Sequence, residues 1–104
     1  MKLQGKVSVI TGSANGIGKA TAVKFAQEGA KVVVCDLQQA QIDATVAELQ
    51  ALGAEAVGFV VDVTNVEQIN AMVKGVMDKF GRVDVLVNNA GIVMDAQLLK
   101  MTEA

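Results

Sequence analysis

Residues 6–10, KVSVI, run straight into TGSANGIG at residues 11–18, and the alanine-rich stretch 19–28 follows. The first segment reads as a strand, apolar enough to be buried on both faces as in a parallel sheet. The last reads as a helix, from about residue 16 to 28, whose Ala20, Ala22 and Ala26 let it lie close on that sheet. A glycine-rich turn between strand and helix is an anion site. Glycine lets the backbone approach a phosphate, and the helix start offers N–H groups and a positive dipole end. Gly12, Gly16 and Gly18 give G-x-x-x-G-x-G, not the G-x-G-x-x-G of the common dinucleotide fingerprint. A P-loop would need glycine where Ser13 stands and a hydroxyl where Ala20 stands, so that reading fails. Ser13 and Asn15 lie within the turn, and either can cap the helix. A tight strand-to-helix turn also calls for glycine when no ligand is involved.

The pattern then repeats. Residues 31–35, KVVVC, form a second strand that ends at Asp36. A helix over about 39–52 carries Ile42, Val46 and Leu49 in one stripe. Residues 56–61 make a third strand, ending at Asp62. Thr64 and Glu67 form a T-x-x-E capping box at the head of a third helix. Val66, Ile69, Met72, Val73, Val76, Met77 and Phe80 follow at helical spacing. Gly75 within that helix costs about 1 kcal/mol against alanine and marks a close helix contact. Gly29, Gly53 and Gly81 close the three helices. A fourth strand, residues 83–87 (VDVLV), runs into Asn88, Asn89, Ala90 and Gly91, and residues 96–104 begin another helical pattern. Strand and helix alternate with no linker or repeat. The expected fold is α/β: one Rossmann-like dinucleotide-binding domain over residues 1–104. Its parallel sheet would have right-handed crossovers and strand order 3-2-1-4, half of a doubly wound fold.

Composition narrows the chemistry. The chain has no His, Tyr or Trp, so neither a histidine base nor a tyrosine acid is available. The serines are Ser8, inside the first strand, and Ser13, in the turn. One cysteine and no histidine leave no ligand set for zinc. Cys35, in an apolar run, is read as a small buried residue rather than a nucleophile. A single cysteine fits a reducing cytoplasm, and no secretory signal is visible. A net charge of −2 with no basic run argues against nucleic acid, and the apolar runs are too short to span a bilayer.

The strand ends carry the candidate site. Asp36 lies eighteen residues past Gly18, where an acid can accept both hydroxyls of an adenosine ribose. It would also repel a 2′-phosphate. A unit charge pair near 4 Å is worth roughly 1–4 kcal/mol, about ten- to a thousandfold in preference. Leu37 follows it and the turn offers Asn15, so no arginine stands ready for a 2′-phosphate, and NAD is expected over NADP. Asp62 either accepts from an adenine amino group or is a solvated acid ahead of Thr64. Asn88 and Asn89 end the fourth strand beside the switch point. There they either satisfy loop backbone or touch cofactor.

TGSANGIG, Asp36, Asp62-Val63 and NNAG together resemble the short-chain dehydrogenase/reductase family over essentially the whole chain. The resemblance implies a doubly wound sheet that binds NAD or NADP. Gly12, Gly16, Ile17 and Gly18 resemble its pyrophosphate turn, and Asp36 the ribose acid of NAD-preferring members. Asp62 and Val63 resemble its adenine-contacting pair. Asn88, Ala90 and Gly91 resemble the motif that steadies the sheet and lines the ribose site. Residues 88–103 are further similar to 3-oxoacyl-acyl-carrier-protein reductases, which usually favour NADPH. A methyltransferase-like sheet also pairs a glycine turn with a ribose acid, but NNAG and G-x-x-x-G-x-G argue against it.

The family's catalytic Asn-Ser-Tyr-Lys set lies beyond NNAG, and nothing here matches it. The resemblance therefore implies the cofactor half of an NAD(P)-dependent carbonyl/alcohol oxidoreductase, inactive alone, with no catalytic residue of its own. The other reading is a truncated or designed half-domain whose property is self-association. Strand four, residues 83–87, would be an apolar sheet edge that invites a second copy, giving a dimer. The parent's substrate is not legible from these residues.

Overall fold

The computed structural model describes residues 3–14 and 16–88. Its elements are β1 (Val7–Thr11), α1 (Gly16–Gln27), β2 (Lys31–Asp36), α2 (Gln39–Ala51), β3 (Ala56–Val60), α3 (Val66–Phe80) and β4 (Val85–Asn88). All strands are parallel, in the expected order β3-β2-β1-β4. Asn15, Ala90 and Gly91, with the helical pattern of residues 96–104, lie outside the described residues.

Period-two alternation sends the central strands' side chains to two cores. Val7 and Val9 of β1 and Val33 and Cys35 of β2 face α3, where Ile69, Met72, Val73 and Val76 are buried. Ile10 of β1 and Val32 and Val34 of β2 face α1 and α2, against Ala22, Ala26, Ile42 and Leu49. Each fully buried Val, Ile or Leu contributes roughly 1.5–3 kcal/mol, so the two faces hold the sheet in register. With α1 and α2 on one face and α3 on the other, the crossover reverses at β1. The switch point therefore falls between β1 and β4, at the end where Thr11 is level with Asn88.

Four local expectations are corrected. The cap of α3 is Asn65, not Thr64: its side chain accepts the Gln68 amide at 3.1 Å. The Thr64 hydroxyl instead donates to Asp62 Oδ1 at 2.6 Å, which removes it from the helix. Ser13 does not cap α1, because its hydroxyl donates to the Ile10 carbonyl and accepts the Cys35 amide. Strand four starts at Val85 rather than residue 83. The Asp84 carboxylate accepts the Val7 amide at 2.8 Å and the Asp84 amide donates to the Val7 carbonyl at 2.8 Å, a side-chain clasp in place of a ladder rung. Gly75 meets a strand, not a helix: a Cβ there would lie 2.9 Å from the Phe59 ring of β3. Gly81 closes α3 in the left-handed conformation, φ 76°.

Candidate functional site

The turn after β1 is built from backbone constraints. Gly12 and Gly16 take φ values of 62° and 59°, which residues with a side chain rarely adopt. At Gly18 a Cβ would collide with the Gly12 carbonyl, so α1 comes off the turn closer than any other residue allows. Ser13, fully buried, knits the turn to β2. Its amide donates to the Cys35 carbonyl at 3.2 Å and its hydroxyl accepts the Cys35 amide at 3.0 Å. Ile17, in the first turn of α1, is 81% exposed beside the glycines.

Asp36 ends β2 next to this turn. Its Oδ2 accepts the Ala14 amide at 2.9 Å and its Oδ1 the Leu37 amide at 2.9 Å. Each carboxylate oxygen keeps a lone pair for a further donor. The Ala14 carbonyl is held from behind by the Thr45 hydroxyl of α2 at 3.4 Å, so residue 14 is gripped at both its polar groups. Leu37 projects into solvent at 63% exposure.

Asp62 stands across from Asp36, just past β3. Its Oδ1 accepts both the Thr64 hydroxyl and the Thr64 amide, and these bonds hold its carboxyl below the usual carboxylate range. Gly12, Cys35, Asp36, Leu37, Val61, Asp62, Val63 and Thr64 enclose a cavity of about 260 Å³. Two carboxylates thus line one recess whose other walls are Gly12, the aliphatic Leu37, Val61 and Val63, and Cys35 and Thr64. Hydroxyl and amino donors on a flat heterocycle suit such walls. Cys35 lies behind it, 1% exposed, its thiol pushed up to about 12 by burial and then by the Asp36 charge, so it stays an inert thiol.

On the other side of β1, the Thr11 hydroxyl donates to Asn88 Oδ1 at 3.1 Å, locking the ends of β1 and β4 together. Ser13, Ile17 and Asn88 do not line the Asp36–Asp62 cavity; Ile17 and Asn88 flank the turn instead. Three contributors escaped the reading of the sequence. Thr45 sits in the apolar stripe of α2, where Ile42 and Leu49 mask it. Thr64 carries the pattern of a helix cap. Gln68, whose Oε1 accepts the Asp62 amide at 2.8 Å, looked like an ordinary helix residue. Only Thr64, two residues past an aspartate, offered a local signal, that of an Asx turn.

Known proteins match this chain closely. Residues 6–104 fit the family model described as short chain dehydrogenase. The 3-oxoacyl-[acyl-carrier-protein] reductase of Thermotoga maritima is 50% identical over 103 residues, 99% of this chain and 42% of that protein. A hydroxysteroid dehydrogenase from Escherichia coli superposes with a TM-score of 0.91 at 32% identity, over 97% of this chain and 52% of its own. A metagenomic short-chain oxidoreductase solved in complex with NADP superposes with a TM-score of 0.83 at 41% identity, over 88% of this chain and 41% of its own. The chain spans about 42% of the length of the curated relative it matches.

Proposed function

The chain belongs to the short-chain dehydrogenase family, and from that premise we propose that the recess at the strand ends binds the adenosine half of NAD. The observation that carries this reading is the pairing of Asp36 and Asp62 on one cavity beside a turn that tolerates no side chain at Gly18. In it Gly12, Gly16, Ile17 and Gly18, with Ser13 and Asn15, form the pyrophosphate turn. Asp36 accepts the ribose hydroxyls, with Leu37 beside it. Asp62 and Val63 meet the adenine, and Asn88, Ala90 and Gly91 border the second ribose.

The donors and acceptors present fit such a ligand. Both acids are acceptors, and both ribose and adenine offer donors. The preference for NAD rests on the negative charge of Asp36 and on Leu37 and Asn15 where a cation would serve a 2′-phosphate. NADP in the metagenomic relative supports a dinucleotide here and leaves the preference to Asp36.

The dinucleotide, when bound, carries the hydride of the reaction. A proton must still move at the substrate oxygen, and no Tyr or His among the 104 residues can move it. We therefore assign these residues the binding and orientation of cofactor. The acid/base work belongs to a longer chain bearing the family's Ser, Tyr and Lys. Likeness to a 3-oxoacyl-[acyl-carrier-protein] reductase points to a 3-oxoacyl thioester as the carbonyl substrate. Such an enzyme works in a reducing cytoplasm, which the single buried thiol suits. The test joins residues 1–104 to a carboxy-terminal half carrying that set. Reduction of a 3-oxoacyl thioester by the joined protein, and none by residues 1–104 alone, is the expected result; an inactive, folded joined protein would refute it.

A second reading, self-association, draws on β4. It is the outer strand of the described sheet, and its four residues are only half-buried although three are aliphatic. No helix is long and apolar enough to cross a membrane among the described residues.

A further inference from the structure

Asp62 is held in an unusually one-sided way. Both donors of Thr64 converge on Oδ1, the hydroxyl at 2.6 Å and the amide at 2.9 Å. Among the described residues Oδ2 accepts nothing. The backbone of Asp62 is pinned as well. Its amide donates to Gln68 Oε1 at 2.8 Å, and its carbonyl accepts the Asn65 amide at 2.9 Å. Gln68 is in turn anchored by donating its own amide to the Asn65 cap at 3.1 Å. The start of α3 therefore fixes the main chain of Asp62, and Thr64 fixes its side chain.

Asp62 lines the cavity with one carboxylate oxygen already occupied, and a carboxylate held in this way is an oriented acceptor. It is also kept ionised, since the Thr64 bonds favour the charged form. An ionised acceptor welcomes an amino group on a purine and repels a carbonyl at the same position. From this we infer that Thr64 is a positioning residue for base specificity. By aiming Asp62 it makes the recess select 6-aminopurine over 6-oxopurine dinucleotides. Thr64 acts through Asp62, and Gln68 supports the same aim from the helix. The inference rests on the dinucleotide reading above. It is independent of the choice between NAD and NADP, because the two differ only at the ribose.

The test compares NADH with reduced nicotinamide hypoxanthine dinucleotide, which differs from it only at the base. Binding of each to the purified chain is followed by calorimetric titration. The chain should bind NADH about tenfold more tightly, the value of one charge-assisted hydrogen bond. Thr64→Val retains the amide and loses the hydroxyl, and should bring the two affinities within about threefold. Thr64→Ser restores a hydroxyl and should restore the ratio. Thermal melts of all three proteins, expected to coincide, separate misfolding from lost aim. A Thr64→Val protein that melts normally and keeps the full ratio would overturn the role of Thr64 while leaving the dinucleotide site intact. A wild-type chain that binds NADH without discriminating the base would do the same. A wild-type chain that binds neither compound would overturn the dinucleotide reading and this inference with it.

Discussion

The carboxylate of Asp36 accepts the amide of Ala14 at 2.9 Å, tying the end of β2 to the middle of the glycine turn. The acid expected to meet a ribose is thus also a structural member of the turn expected to meet the pyrophosphate. Groups proposed to bind one ligand, from two separate strand-helix units, are thus set relative to each other by the fold itself. Preorganisation of this kind lowers the ordering cost of binding.

Asp36→Asn separates the two roles. The amide oxygen still accepts the Ala14 amide, so the fold should hold, with a urea midpoint close to that of the parent. The charge is gone, and with it the repulsion of a 2′-phosphate. Affinity for NADH should fall about tenfold and that for NADPH less or not at all, narrowing the preference. Parallel fluorescence titrations measure both.

Gly18→Ala tests the turn. The added Cβ meets the Gly12 carbonyl, a backbone atom that cannot swing aside. A loss of roughly 2–3 kcal/mol in urea denaturation is expected, together with loss of NADH binding. Gly53→Ala is the control for mere loss of a glycine. It has open space but a φ of 89°, so it should cost stability without touching binding.

Asp84 gives the chain a pH dependence. The Arg82 guanidinium, donating from Nε at 2.9 Å, and the Val7 amide hold its carboxyl below the ordinary 3.8. A carboxyl lowered by folding stabilises the native state above its ordinary value and ceases to do so as the pH falls through its folded value. Asp84→Asn should cost about 1–2 kcal/mol at pH 7 by weakening the clasp on Val7. The gap between the two proteins should close as the pH drops below 3.8, which urea midpoints at pH 7 and pH 3 would show.

Self-association through β4 predicts a concentration-dependent mass. Sedimentation at about 1–100 μM, the range of weak to moderate affinities, should show a dimer forming. A monomer throughout would leave the half-buried strand without a partner copy.

Much of this architecture was legible in the sequence because its signals are local. The alternation of KVSVI, KVVVC and VDVLV with 3.6-period helices implied the parallel sheet, and the family resemblance its order. An acid at the end of a strand, as with Asp36 and Asp62, lies near the carboxyl edge wherever the sheet is placed. What remained hidden depends on which side chains meet across the fold. Asp84 and Val7 are 77 positions apart, and no periodicity links them. Thr45 reads as an ordinary helix residue until the turn above it supplies a carbonyl. Thr64 carries the capping-box pattern, yet the next residue, Asn65, is the cap. Asn65 takes it because Asp62 draws the Thr64 hydroxyl away.

Dinucleotide binding at Asp36 is the step on which the proposed function depends. The most direct measurement titrates the purified chain into NADH and into NADPH and follows nicotinamide fluorescence. With no Trp or Tyr the protein adds little emission of its own. Both signals should saturate, and NADH should bind about tenfold more tightly or better. NADPH binding as tightly as NADH would contradict the role given to Asp36, and no response to either would contradict the site itself.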